Sequence, residues 1–220
     1  MFVLFLCAGP PGAFGAFPSI HRAAADRYKG EGLFWARLGD FPRSIDCFEK
    51  AILASPHQPL PYISLAWDYR FVKNFSRAVS LGLRALEMSP DLARAHEELW
   101  RSYSALGRRE GYDQELVLRE TYHIEKILGA DPNYVQDTPE VMPELQFLIS
   151  TENRLEEAGR HILGARILPE GTPPESVAAW RVPQLPDDGI ARGEQFKALD
   201  RAIAHLQDWE RNRKSVPEGR

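Results

Sequence analysis

From about Ser19 the chain carries a charged, helical pattern in which apolar side chains recur at intervals of three and four residues. The pattern is punctuated. In GLFWARLGDFPRSIDCFEKAILASP, residues 32–56, it is interrupted at Gly39, resumes at Phe41 and stops at Pro56. Glycine permits the turn, because it takes a positive φ at little steric cost. Proline after Ser55 ends the second helix, because the residue before a proline is pushed out of the α region. The stretch therefore predicts two helices joined by a tight turn.

The next stretch repeats the first. Pro56 and Pro90 are 34 residues apart, and Tyr28, Gly32, Trp35, Gly39, Phe41, Ser44, Phe48, Ala51 and Pro56 fall against Tyr62, Ala66, Tyr69, Lys73, Phe75, Ala78, Gly82, Ala85 and Pro90. Large residues stay large and small ones mostly stay small, as a stack of like hairpins requires. A third unit continues through His96, Leu99, Tyr103 and Gly107, with Trp100 in the place of Gly32 and Ala66. Its closing proline, Pro132, arrives 42 residues after Pro90, so its second helix, about Gly111 to Leu128, is expected to run two turns longer. A degenerate fourth unit is expected from a helix over Pro139 to Ser150, capped by Thr138, and a second helix carrying Leu155, Ala158, Ile162, Ala165 and Pro169. Pro169, Pro173, Pro174, Pro183 and Pro186 then mark a loop. Beyond it Phe196, Leu199, Ile203, Leu206 and Trp209 share one stripe of a final helix, which must pack or aggregate. The expected divisions are an apolar segment over 1–18, three repeats over 19–134, a fourth hairpin over 135–172, a Pro-rich loop over 173–189 and a C-terminal helix over 190–220.

These matched positions resemble the tetratricopeptide repeat, specifically so in the first two units and more loosely to about residue 172. The resemblance implies an all-α solenoid of three to four antiparallel hairpins; the stripe of the final helix is read as a cap on the end of that array, with lying in the groove or an intermolecular contact as the alternatives.

Composition agrees with a globular chain: 220 residues, 44% hydrophobic and 26% charged. A formal charge of −4 supplies no field to gather nucleic acid, so no nucleic-acid partner is expected. The opening MFVLFLCAGPPGAFGAFPS is too short to span a bilayer, and it lacks the basic residue expected ahead of the apolar core of an export signal. Three readings stay open for it: an export signal, a segment packed on the first helices, or a misassigned start. The compartment is accordingly open between the cytoplasm and export to a periplasmic or extracellular space. Cys7 and Cys47 match no metal-ligand spacing, and the six histidines include no i, i+4 pair. No phosphate-cradling glycine loop, nucleophile elbow or converging carboxylate pair is found, so no catalytic residue, metal or cofactor is expected and the chain is read as a non-enzyme.

In the resembled family the first helix of each unit lines a concave surface. Transferred to this chain, the resemblance places Lys29, Leu33 and Arg37, then Ile63, Trp67, Arg70 and Phe71, then Arg94 and Arg101 in a groove with an apolar centre and cationic flanks. Such a lining suits a protein or peptide partner with a hydrophobic anchor and carboxylates, since arginine grips a carboxylate through two hydrogen bonds. Trp67 and Phe71 are four apart on one helical face, and an aromatic pair at that spacing more often packs within the array than awaits a ligand. Family members that clamp the C-terminal carboxylate of heat-shock chaperones use lysines, asparagines and an arginine. Lys29 and Arg94 match two of these, but Leu33, Ser64 and Glu98 replace two asparagines and a base, so a chaperone-tail clamp is not expected. Two other functional readings stay open: a structural subunit whose groove is filled by its own C-terminal helix, and a small all-α enzyme.

Overall fold

The structure is a computed structural model that describes residues 17–131, 134–159 and 186–215. Its elements are α1 (Phe17–Arg37), α2 (Phe41–Ala54), α3 (Pro59–Phe71), α4 (Phe75–Met88), α5 (Ala93–Glu110), α6 (Gln114–Ala130), the single turn α7 (Tyr134–Asp137), α8 (Val141–Gly159) and α9 (Arg192–Ser215). No β-strand occurs among the described residues. Helices α1 and α2, α3 and α4, and α5 and α6 pair as hairpins, and α2 packs on α3 and α4 on α5, so the hairpins stack in chain order. Helices α1, α3 and α5 also touch in succession, forming one inner row.

Each hairpin turn uses the same local device. A residue with positive φ closes the first helix, namely Gly39 (75°), Lys73 (63°) and Gly111 (90°). An Asp or Asn follows and caps the second helix: Asp40 accepts from Arg43 N at 3.2 Å, Asn74 from Arg77 N at 3.3 Å and Asp113 from Leu116 N at 2.8 Å. Close packing explains the small residues. A Cβ on Gly32 would lie 2.8 Å from the Phe48 ring, so α1 and α2 could not approach as they do with any other residue there. Ala51, Ala66 and Ala85 are fully buried in the same interfaces.

Two apolar clusters form the core. Phe48, Tyr62, Leu65, Ala78 and Leu81 unite the first two hairpins, and Leu99, Tyr103, Val117, Ile124, Leu145 and Leu148 unite the third with α8. Leu86 packs against both. Helix α9 lies on α6 and α8 with Ala198, Leu199, Ala202 and Leu206 inward, and Arg201 grips the buried Glu125 through two hydrogen bonds of 2.6 and 3.1 Å. This is the expected capping helix.

Three local expectations change. The third unit's extra length is shared: α5 has 18 residues against 13 in α3, while α6 has 17 against 14 in α4, so α6 gains less than one turn rather than two. Helix α8 begins at Val141, with Pro139 and Glu140 in the preceding turn, so Thr138 is not its N-cap; the Thr138 carbonyl instead accepts from Val141 N at 3.1 Å. Helix α8 also continues without a break past Ser150 to Gly159, because the interval has no glycine or proline and Thr151, Glu152 and Leu155 are buried along it. The remainder of the expected fourth hairpin, with Ile162, Ala165 and Pro169, most of the Pro-rich loop and residues 1–16 lie outside the described residues.

Candidate functional site

The inner row encloses a cavity of about 580 Å³. Helix α1 contributes Leu33 and Arg37, α3 contributes Ile63, Trp67, Arg70 and Phe71, and α5 contributes Arg94 and Arg101. The ninth residue expected there, Lys29, is absent from the lining; its Nζ donates to Asp26 at 2.7 Å, a local pair on α1. Ala36, Phe48, Ser64, Glu97 and Glu98 complete the wall. No residue of α9 lines the cavity, so the reading in which the C-terminal helix fills the groove does not describe this structure.

The aromatic centre is built from two hairpins. Trp67 and Phe71 have ring centroids 4.2 Å apart, and Phe41, from the first turn of α2, lies 5.9 Å from Trp67 and stacks on Phe71 at 5.4 Å. These rings therefore pack on the array, yet Phe71 stays 48% exposed, which leaves apolar surface open to the cavity. Sequence reasoning missed Phe41; its place directly after the Asp40 cap, at the mouth of the turn, was the available signal.

The cations divide into two groups. Arg70 is held within the chain, since its Nε donates to Glu98 Oε1 at 2.7 Å and its Nη2 to Glu98 Oε2 at 3.1 Å. Arg101 is held as well, by Glu97 at 3.1 Å and Glu140 at 3.2 Å. Neither stands free to grip an incoming carboxylate, which corrects the expectation for both. Arg37 and Arg94 are exposed, and their guanidinium groups make no ion pair or hydrogen bond with a described residue.

The wall and the core directly behind it are acidic. Burial pushes the Glu98 carboxyl up, against the opposing hydrogen bonds of Arg70 and then Ser102. Asp68 on α3 is fully buried, and neither of its oxygens has a hydrogen-bond partner. The neighbouring Ser44 hydroxyl donates its proton to the Gly32 carbonyl at 3.0 Å. Burial above all, with the nearby Glu98 charge adding, raises Asp68 to about 6. Among the described residues no group of three or more His, Cys, Asp or Glu side chains is placed to hold a metal ion, and no helix is long and apolar enough to cross a membrane.

No protein-family model matches the chain. Over 91 residues it is 33% identical to tetratricopeptide repeat protein 17 of Homo sapiens and, to the same degree, of Rattus norvegicus. That stretch is 40% of this chain but 8% of the human and 7% of the rat protein, so the chain spans a small part of these relatives. Among solved structures, the first TPR of Spaghetti (RPAP3), bound to the HSP90 peptide SRMEEVD, matches with a TM-score of 0.51 at 23% identity, covering 58% of this chain and 97% of that one. The first TPR domain of human RPAP3, solved by NMR, matches with a TM-score of 0.52 at 20% identity, covering 60% and 98%. At these identities the structural likeness is one of fold.

Proposed function

From the premise that the chain is a tetratricopeptide-repeat array of stacked hairpins closed by a helix, we propose that it is a non-catalytic interaction module that takes a partner protein's segment along α1, α3 and α5. The segment sets a large apolar side chain against Trp67 and Phe71 and presents carboxylates to Arg37 and Arg94. The observation that carries this reading is the division of charge. Arg70 and Arg101 are neutralised inside the array, whereas Arg37 and Arg94 face the same cavity with no partner among the described residues. Unpaired arginines beside a half-exposed aromatic surface offer both a desolvated anchor and a two-pronged grip. The neighbouring fold's peptide complex supports the use of such a groove for a peptide.

The test is binding of a panel of synthetic peptides with a central Leu, Met or Phe flanked by Asp or Glu. Trp67→Ala, and separately Arg37→Ala with Arg94→Ala, should each weaken the tightest binder roughly tenfold or more. The arginine variant should also flatten the salt dependence, and far-UV circular dichroism should be unchanged. Equal binding by folded variants would remove the proposal. Arg70 is left out of the set because its loss strands the buried Glu98 charge.

A further inference from the structure

The Arg70–Glu98 pair bears on what the groove accepts. Arg70 lies in the centre of the inner row, beside the aromatic anchor: its guanidinium sits 5.1 Å from the Phe71 ring centroid. By position it is the cation an acidic ligand side chain would meet next to an apolar one. It is already engaged. Glu98 fills both prongs of the guanidinium, is held in turn by the Ser102 hydroxyl at 3.2 Å, and has a side chain only 5% exposed.

An outside carboxylate could reach Arg70 only by displacing Glu98, which would leave a buried anion without its cation. The surroundings oppose that exchange. Glu97 stands on the same wall, and Asp68 lies fully buried beside Glu98 with no hydrogen-bond donor of its own. The flanking helices differ, because Arg37 on α1 and Arg94 on α5 carry no such internal partner among the described residues.

We propose that Glu98 determines the specificity of the groove: by occupying Arg70 from within the chain it makes the centre admit an apolar side chain and exclude an acidic one, leaving carboxylate recognition to Arg37 and Arg94 on the flanking helices. This rests on the groove being the binding surface. The ligand class that follows is a segment whose acidic residues stand apart from its apolar anchor, and a run of carboxylates packed against the anchor is a poor ligand.

Fluorescence anisotropy on the full chain tests this with the peptide SRMEEVD and its carboxylate-free counterpart SRMQQVN, amidated at the C-terminus. Glu98→Gln keeps the size of the side chain and frees the Arg70 charge, and should bind SRMEEVD roughly tenfold or more tightly than the unaltered chain. The carboxylate-free peptide should show no such gain, and adding Arg70→Gln should erase it. A folded Glu98→Gln chain that binds SRMEEVD no more tightly overturns the inference.

A second measurement needs no variant. Through a titration of the unaltered chain with SRMEEVD the Arg70 Nε–H resonance should stay in place, and a shift of the size seen at Arg94 would show Glu98 displaced and overturn the inference. The two readings can fail separately. If the Glu98→Gln gain survives Trp67→Ala, Glu98 does occupy Arg70 but Trp67 is not the apolar anchor, which removes that part of the proposed function. If the Trp67 and Arg37/Arg94 variants lose peptide binding while Glu98→Gln gains nothing, the groove stands and the role of Glu98 falls.

Discussion

Asp68 carries its charge at a cost, since both carboxyl oxygens are buried without a hydrogen-bond donor and the group is raised to about 6. Its unfolded value is about 3.9, so between roughly pH 4 and 6 the unfolded chain has released a proton that the folded chain still holds. The contribution to stability is therefore present at low pH and lost as pH rises through about 6. Asp68→Asn should raise stability by about 1–2 kcal/mol at pH 8, with the difference narrowing as pH falls below 6. Urea melts at pH 8 and pH 4.5 check this, and a gap that does not narrow contradicts it. At this scale the sequence made residue types and register readable: Leu33 and Trp67 stand 34 residues apart at matched places of the repeat, and the family resemblance supplied the wall on which they and Phe71 meet. The pairing of Arg70 with Glu98 was hidden, because the two lie 28 residues apart on different helices and no local spacing joins them.

Lys73 illustrates how an element can keep its conformation while departing from the residue that suits it. It occupies the turn position of Gly39 with a φ of 63°, a left-handed conformation that costs an L-residue roughly 1–2 kcal/mol. What it offers the fold is a carbonyl, which accepts from Arg109 at 3.3 Å, and glycine would keep that carbonyl. Lys73→Gly should therefore stabilise the chain by about 1 kcal/mol, read as a higher urea midpoint at unchanged slope. The third hairpin holds a different element-scale device. The Pro90 carbonyl can only accept, so His96 donates to it from Nε2 at 2.9 Å and its Nδ1 accepts from His123 Nδ1–H at 2.8 Å. Burial holds both imidazoles below their ordinary pKa, which keeps them neutral and leaves His123 Nε2 as a buried acceptor with no partner. This link between α5 and α6 was not legible, since the two histidines are 27 residues apart and no local spacing joins them.

Across the whole molecule the array is asymmetric. The first two hairpins meet mainly through small residues and aromatics and bury the Asp68 carboxyl, whereas the C-terminal half buries more charge, including Glu120, Glu125, Arg119 and Glu144. Helix α9 closes that half. It covers α6 and α8 with Leu199 and Leu206, each 8% exposed, and each such burial is worth about 1.5–3 kcal/mol. It also supplies the cation for Glu125 and an Arg192 contact to Gln114 at 2.6 Å. Ending the chain at residue 190 should lower the thermal midpoint sharply and produce aggregates in size-exclusion chromatography, with no gain in peptide binding. A truncated chain that stays monomeric and as stable as the full one would contradict the capping role.

The sequence by itself determined the repeat unit and its hairpin turns, because periodicity and the placement of glycine and proline are local and recur every 34 residues, while the inward face of each first helix came only from the family resemblance. It also determined that the final amphipathic helix must be covered. Tertiary structure alone decided where that helix lies, how the third unit shared its added length between α5 and α6, and which arginines of the groove are free. Those outcomes depend on contacts between helices distant along the chain, where burial and charge pairing select one partner among many that composition would allow.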